Sequence, residues 1–211
     1  MTELANLRTD YDLDELSETV LPSDPMALFD NWLQRAIDIM GPEATAMALA
    51  TAVDGQPAAR IVLLKGLDRG GFVFFGNYAS RKGRELACNP LASLTFFWPQ
   101  LQRQVRVEGR VHQISGAESD AYFATRPRES QLGAWASPQS TAIAGRAELE
   151  QSLALVSQRF AGQPVARPDH WGGWRLMPAA LEFWQGRPSR LHDRLCAALG
   201  TQNWQWTRLA P

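Results

Sequence analysis

The chain has 211 residues, 45% hydrophobic and 20% charged, and its 21 Lys+Arg against 22 Asp+Glu leave a net charge of −1. That balance suits one globular domain with a substantial core and gives none of the overall basic field of a nucleic-acid binder. Cys88 and Cys196 lie far apart without CxxC or CxxH neighbours, which argues against a disulfide framework or zinc site and points to a reducing cytoplasm, and neither an export signal nor an apolar run of membrane-spanning length is present.

Residues 1–22 show no sustained periodicity and read as a mobile arm, and residues 23–211 read as a single domain. The first 30 residues are acidic (Glu3, Asp10, Asp12, Asp14, Glu15, Glu18, Asp24 and Asp30 against Arg8). Ser23-Asp24-Pro25 is a helix start, and Leu28, Phe29, Trp32, Leu33, Ala36, Ile37 and Met40 then recur at helical spacing until Gly41-Pro42. An apolar strand over 46–53 closes at Asp54-Gly55, a hairpin signal, and returns over 59–67. Asp68-Arg69-Gly70-Gly71 turns the chain into Phe72-Val73-Phe74-Phe75. Residues 80–89 predict a short helix, and 91–98 a buried strand. Over 103–111, Val105, Val107, Gly109 and Val111 alternate with Gln104, Arg106, Glu108 and Arg110, the period of a strand with one buried face. Helices are predicted over 118–125 and 144–160, and the tail 171–211 returns to strands. The pattern is mainly β with peripheral helices, a β-barrel.

No GxGxxG, GxxxxGK[ST], HExxH or GxSxG motif occurs. What remains is a scattered set of anion-binding side chains. Arg60 and Lys65 lie five apart, on opposite faces of a regular strand, which predicts two separate anionic groups. Arg81-Lys82 opens a predicted helix whose N-terminus adds N–H donors. Tyr122 and Arg126 share a helical face with Ser130 beyond Pro127, a phosphate pocket or equally a tyrosine packed on an arginine stem. Near the end, Trp171, Trp174, Trp184, Arg190, His192 and Arg194 crowd between glycines, as a planar anionic ligand requires. Trp135, Trp171, Trp174 and Trp184 suggest an aromatic-lined site or an oligomer interface rather than core filling alone.

Taken in order, Arg60-Ile-Val-Leu-Leu-Lys65, Asn77-Tyr-Ala-Ser-Arg-Lys82, Arg103-Gln-Val-Arg-Val-Glu-Gly109, Tyr122-Phe-Ala-Thr-Arg-Pro127, Ser130-Gln-Leu-Gly-Ala-Trp-Ala-Ser137, Trp171-Gly-Gly-Trp174, Glu182-Phe-Trp-Gln-Gly186, Arg190-Leu-His-Asp-Arg194 and Arg208-Leu-Ala-Pro211 resemble the pyridoxamine/pyridoxine 5′-phosphate oxidase family, from about residue 23 to the end. The resemblance implies an FMN-binding split β-barrel, a homodimer with its sites at the interface. It implies oxidation of pyridoxine and pyridoxamine phosphates to pyridoxal phosphate, with O2 as acceptor and hydrogen peroxide as product. Carried over by motif, Arg60, Ile61, Val62, Leu63, Leu64, Lys65, Phe75, Gly76, Arg81, Lys82 and Gln104 contact FMN. Gln139, Ser140, Trp184 and Arg194 do so from the other subunit. Lys65, Tyr122, Arg126 and Ser130 hold the substrate phosphate, and Arg190, Leu191 and His192 lie over its ring, with Arg190 and His192 catalytic. Arg8-Thr9-Asp10-Tyr11 matches the family's basic-then-tyrosine lid segment only loosely. Two rivals remain: a phenazine-type FMN oxidase on the same scaffold, and a non-catalytic flavin- or pyridoxal-phosphate-binding protein. The phosphate set argues against the first, and Arg190 with His192 against the second.

Overall fold

Asp24 accepts the Met26 N–H and Pro25 takes the first helical position, so α1 (Pro25–Met40) begins where the sequence places it. Its buried stripe of Phe29, Trp32, Leu33 and Ala36 seats the helix on the sheet. Phe29 meets Phe72 and Phe96 edge to face at 4.8 and 5.0 Å. Each such fully buried ring contributes roughly 1.5–3 kcal/mol. The computed structural model describes residues 6–211 apart from 8 and 69, so the expectations for Glu3, Arg8 and Arg69 lie outside the described residues.

The strands are β1 (Ala46–Val53), β2 (Gln56–Leu63), β3 (Gly66–Asp68), β4 (Gly71–Asn77), β5 (Leu91–Trp98), β6 (Arg103–Gln113), β7 (Trp171–Gln185), β8 (Asp193–Leu199) and β9 (Trp204–Arg208). Between them lie α2 (Arg81–Cys88), α3 (Gly116–Thr125), α4 (Arg128–Ala136) and α5 (Arg146–Arg159). All strand pairs are antiparallel, in the order β2-β1-β5-β6-β7-β4-β3, with β8 and β9 branching from β7. Only Leu64 and Lys65 separate β2 from β3, yet these strands stand at opposite ends of that order. The sheet must therefore curl round on itself. Leu64 N–H donates to the Thr45 carbonyl and Lys65 N–H to the Val73 carbonyl, both at 2.8 Å, which fixes the crossover. Among the described residues the two ends do not pair, so the barrel is split rather than closed. The fold is mainly β with peripheral helices, as the residue pattern predicts.

Local departures have physical causes. The expected strand over 59–67 breaks at Leu64-Lys65, because the chain changes sheet end there. The parity argument for Arg60 and Lys65 therefore fails: both line one cleft. Arg126 is not on the α3 face with Tyr122 but caps its end in extended backbone (φ −71°, ψ 145°), as a residue before proline prefers. Helix α4 was not foreseen. It starts at Pro127 without a side-chain cap and is interrupted by Gly133, so it carries neither a start signal nor a clear stripe. Trp171 and Trp174 are buried, and Trp174 belongs to the main core.

The N-terminal segment is tied down over residues 12–22. Asp14 pairs with Arg103 at 2.7 Å, Leu16 is buried and donates its N–H to Asp193, and Glu18 pairs with Arg208 at 2.6 Å. The Trp206 indole donates to the Pro22 carbonyl.

Candidate active site

A cleft of about 790 Å³ opens where β2, β4, the start of α2 and the end of α3 meet. Among the described residues five cations line it, Arg60, Lys65, Arg81, Lys82 and Arg126, and no carboxylate does. Ser80 caps α2 by accepting the Gly83 N–H, which places Arg81 and Lys82 in the first turn. Lys82 is only 7% exposed and donates to Gln139 Oε1 at 2.8 Å and Ser80 Oγ at 3.2 Å. Burial first, and then the charge of Arg60, bring its ammonium down to about 8. A buried ammonium without a carboxylate is costly until an anion reaches it.

Arg60 is held rather than free. It donates to Thr51 Oγ1 and Glu85 Oε2, each at 2.6 Å, and Arg81 donates to Glu85 Oε1 at 2.7 Å. Burial pushes the Glu85 carboxyl up, but hydrogen bonds from Thr51, Arg81 and Arg60 outweigh it and leave the group at about 2. Glu85 stays ionised and fixes both guanidiniums. The sequence signal for it was the i,i+4 spacing from Arg81, common on any exposed helix.

An aromatic stack forms the opposite wall. Tyr122 lies on Phe75 at 3.8 Å and 17°, and Phe75 on Trp171 at 5.6 Å. The Arg126 guanidinium sits 4.6 Å over Trp171, and its Nη1 is buried without a hydrogen-bond partner among the described residues. Burial lowers Arg126 and raises the Tyr122 phenol. Gly76 leaves room for the Lys82 stem: a Cβ there would fall 2.9 Å from its Cε and Nζ.

A second cleft of about 610 Å³ lies against the N-terminal segment and shares no lining residue with the first. Tyr11, Arg187, Arg190 and His192 line it. Ser189 and Arg190 both take left-handed backbone (φ 58° and 61°), a strained pair that displays the Arg190 side chain. His192 Nδ1 accepts the Arg187 N–H at 3.0 Å, so the neutral ring carries its proton on Nε2. Burial, then Arg190, hold the imidazole below its usual range against the opposing pull of Asp193. Trp184 lies 4.6 Å from the His192 ring. Gln104, Trp184 and Arg194 stand directly opposite one another across β6, β7 and β8, one row on one face.

The family description "Pyridoxamine 5'-phosphate oxidase" matches residues 33–160, and "Pyridoxine 5'-phosphate oxidase C-terminal dimerisation region" matches residues 171–211. The chain is 58% identical over 213 residues to a pyridoxine/pyridoxamine 5'-phosphate oxidase of Cupriavidus necator, and 56% identical over 212 residues to one of Thermosynechococcus vestitus, each pair covered in full. The chain belongs to the pyridoxine/pyridoxamine 5'-phosphate oxidase family. It is an oxidoreductase. Among solved structures, PhzG from Burkholderia lata, in complex with tetrahydrophenazine-1-carboxylic acid, superposes with a TM-score of 0.88 at 31% identity, covering 94% of this chain and 99% of that one. An FMN-binding, pyridoxamine 5'-phosphate oxidase-related protein of Nostoc punctiforme shares the fold, with a TM-score of 0.72, 19% identity, and 90% and 100% coverage.

In this oxidase the expected site residues fall into two groups. Arg60, Ile61, Val62, Leu63, Lys65, Phe75, Gly76, Arg81, Lys82, Tyr122 and Arg126 line the first cleft, and so do Gln139 and Ser140, which were expected from the other subunit. Arg190 and His192 line the second, with Trp184 against His192. Leu64 does not join either: it is 5% exposed and packs in the core. Ser130, in the first turn of α4, lines neither cleft, and Leu191 is 70% exposed. Arg194 is engaged by Glu182 at 2.8 Å. Glu85 was not assigned from sequence, whereas Trp171 was expected in an aromatic-lined site and Tyr11 in the loosely matched lid segment. Among the described residues no helix is long and apolar enough to cross a membrane.

Proposed function

We propose that this oxidase converts pyridoxine and pyridoxamine 5′-phosphates to pyridoxal 5′-phosphate as an FMN-dependent homodimer. The supporting observation is the first cleft, which among the described residues gathers five cations and no carboxylate in its lining, beside a stack of flat rings. A phosphorylated flavin and a phosphorylated pyridine both need that pairing. Among the described residues, Lys82 is a buried ammonium without a carboxylate, which fits the FMN phosphate, and Arg126 Nη1 is a buried donor without an acceptor, which fits the substrate phosphate. Each gains a partner from an arriving phosphate.

Arg60, Arg81 and Lys82 would hold the flavin phosphate, with residues 61–65, Phe75, Gly76, Gln139 and Ser140 around the rest. Lys65, Tyr122 and Arg126 would hold the substrate phosphate, without Ser130, which lies outside the cleft lining. When bound, FMN supplies a two-electron acceptor, with O2 as final oxidant and hydrogen peroxide as its product. His192, neutral near pH 7, offers Nε2–H as a donor while Arg187 occupies Nδ1. Arg190, displayed by its left-handed backbone, would orient the substrate ring. Trp184, Arg190, His192 and Arg194 all lie within the matched dimerisation region. In the proposed dimer, each site takes the cation cleft from one chain and this set, with Gln104, from its partner.

Likeness to PhzG favours a second reading, a phenazine-type oxidase. Anaerobic mixing of flavin-loaded protein with pyridoxine phosphate separates the two. We expect the visible flavin band to bleach, then return in air with the aldehyde product. Bleaching by a dihydrophenazine carboxylate and by neither vitamin phosphate would select the second reading. No bleaching with any of them would leave a binding protein.

A further inference from the structure

We propose that Gln102 is a positioning residue for the second cleft: it anchors residues 10–13 so that the Tyr11 ring rests against His192 and Trp184. The proposal rests on the role given above to His192. Gln102 precedes β6 in left-handed backbone (φ 53°, ψ 40°) and is 9% exposed. Its side-chain oxygen accepts the Asp12 N–H at 3.0 Å and the Leu13 N–H at 3.2 Å, and its amide nitrogen approaches the Asp10 carbonyl at 3.5 Å. Its main-chain oxygen accepts the Gly186 N–H at 2.8 Å and Gln185 Nε2 at 3.3 Å. One residue thus joins the N-terminal segment to the end of β7, beside Trp184.

Tyr11 fills the space between them. Its ring lies edge-on to Trp184 at 5.7 Å and to His192 at 5.8 Å. A Cβ on Gly186 would fall 2.8 Å from Tyr11 Cβ and Cγ and 3.1 Å from Gln102 Cβ, so the three residues form one packed joint. Residues 9–13 form no helix or strand of their own. The other ties, Asp14 to Arg103 and Leu16 to Asp193, lie further along the chain. Loss of the Gln102 acceptor therefore frees Tyr11 while residues 14–18 stay attached.

The test compares Q102M, which keeps side-chain length but has no amide oxygen, with Q102E, which keeps acceptor oxygens. Hydrogen exchange on the flavin-loaded protein reads the Asp12 and Leu13 amides directly. Exchange should quicken about tenfold or more in Q102M and stay near wild type in Q102E. KM for pyridoxine phosphate should rise about tenfold in Q102M, with kcat within about twofold and FMN affinity unchanged. Unchanged exchange in Q102M would overturn the proposal, and so would faster exchange with unchanged KM, or an equal loss of FMN affinity. Failure of the wild type to oxidise pyridoxine phosphate would instead overturn the function proposed above.

Discussion

Lys82 sets burial against charge within a single side chain. The ammonium is enclosed, and burial and Arg60 hold it near 8 rather than the usual 10.5. In the ligand-free protein the unfolded chain keeps its proton up to about 10.5 while the folded chain releases it near 8. The contribution of Lys82 to stability therefore rises with pH across that window and is lost as pH falls through 8. Phosphate binding acts in the opposite sense, because an anion favours the protonated amine. FMN affinity should be steady from pH 7 to 8 and weaken above 8, by up to about tenfold per pH unit. Fluorescence titration of FMN at stepped pH checks this; K82M should bind about ten- to a hundredfold more weakly at pH 7 and lose the slope. His192 offers a second residue-scale reading. Its imidazole should titrate below 6.5 by NMR in the flavin-free protein, neutral above that midpoint and charged below it. Arg190 is the second cause of that depression, so Arg190→Met should raise the midpoint while burial keeps it under the usual value. An unmoved midpoint would show that Arg190 does not face the ring in solution.

At the scale of elements, α2 carries three of the groups that matter, Arg81, Lys82 and Glu85, and Gly83 fixes where it docks. A Cβ at Gly83 would overlap the main-chain carbonyl of Tyr78, which no rotamer change can relieve. Gly→Ala inside a helix ordinarily gains up to about 1 kcal/mol. Here overpacking, about 1–3 kcal/mol, should win. We expect Gly83→Ala to lower stability in urea unfolding and to weaken FMN binding as α2 shifts. A more stable variant with unchanged affinity would mean the helix slides without cost. The strands and capped helices were legible because their signals are local: Asp24-Pro25 for α1, Asp54-Gly55 for the first hairpin, alternating valines for β6. The break at Leu64-Lys65 was not legible, since only the return of β3 to the far end of the sheet requires it. Nor was α4, which lacks a cap. The candidate site residues came from motif order rather than from spacing, and the spacing argument for Arg60 and Lys65 failed at that same break. Gln102 stayed hidden because its partners lie some ninety residues away.

Across the whole molecule, one chain holds two incomplete sets. The first cleft has cations and flat rings but neither Arg190 nor His192; the second has those two but none of the five cations that line the first. Exposed apolar side chains lie near both, Ile61 at 67% and Leu63 at 44% on β2, and Leu191 at 70% beside His192. Isolated apolar residues on a surface mean little, but these flank the residues that the proposed dimer brings together. A two-fold dimer would cover them and complete both sites together, because such an interface repeats every contact twice. The division of labour can be tested without seeing the dimer. Lys82→Met damages one set and Arg190→Met the other, so each homodimer should be nearly inactive. If both variants are unfolded together, mixed in equal amounts and refolded, half of the dimers are hybrids. Each hybrid has one site built from two damaged halves and one built from two intact halves, so about a quarter of wild-type activity should return. Recovery should depend on allowing subunits to exchange and should be absent when the folded variants are mixed briefly. If both sets served the same site from one chain, every site in every hybrid would carry one lesion, and refolding would restore nothing.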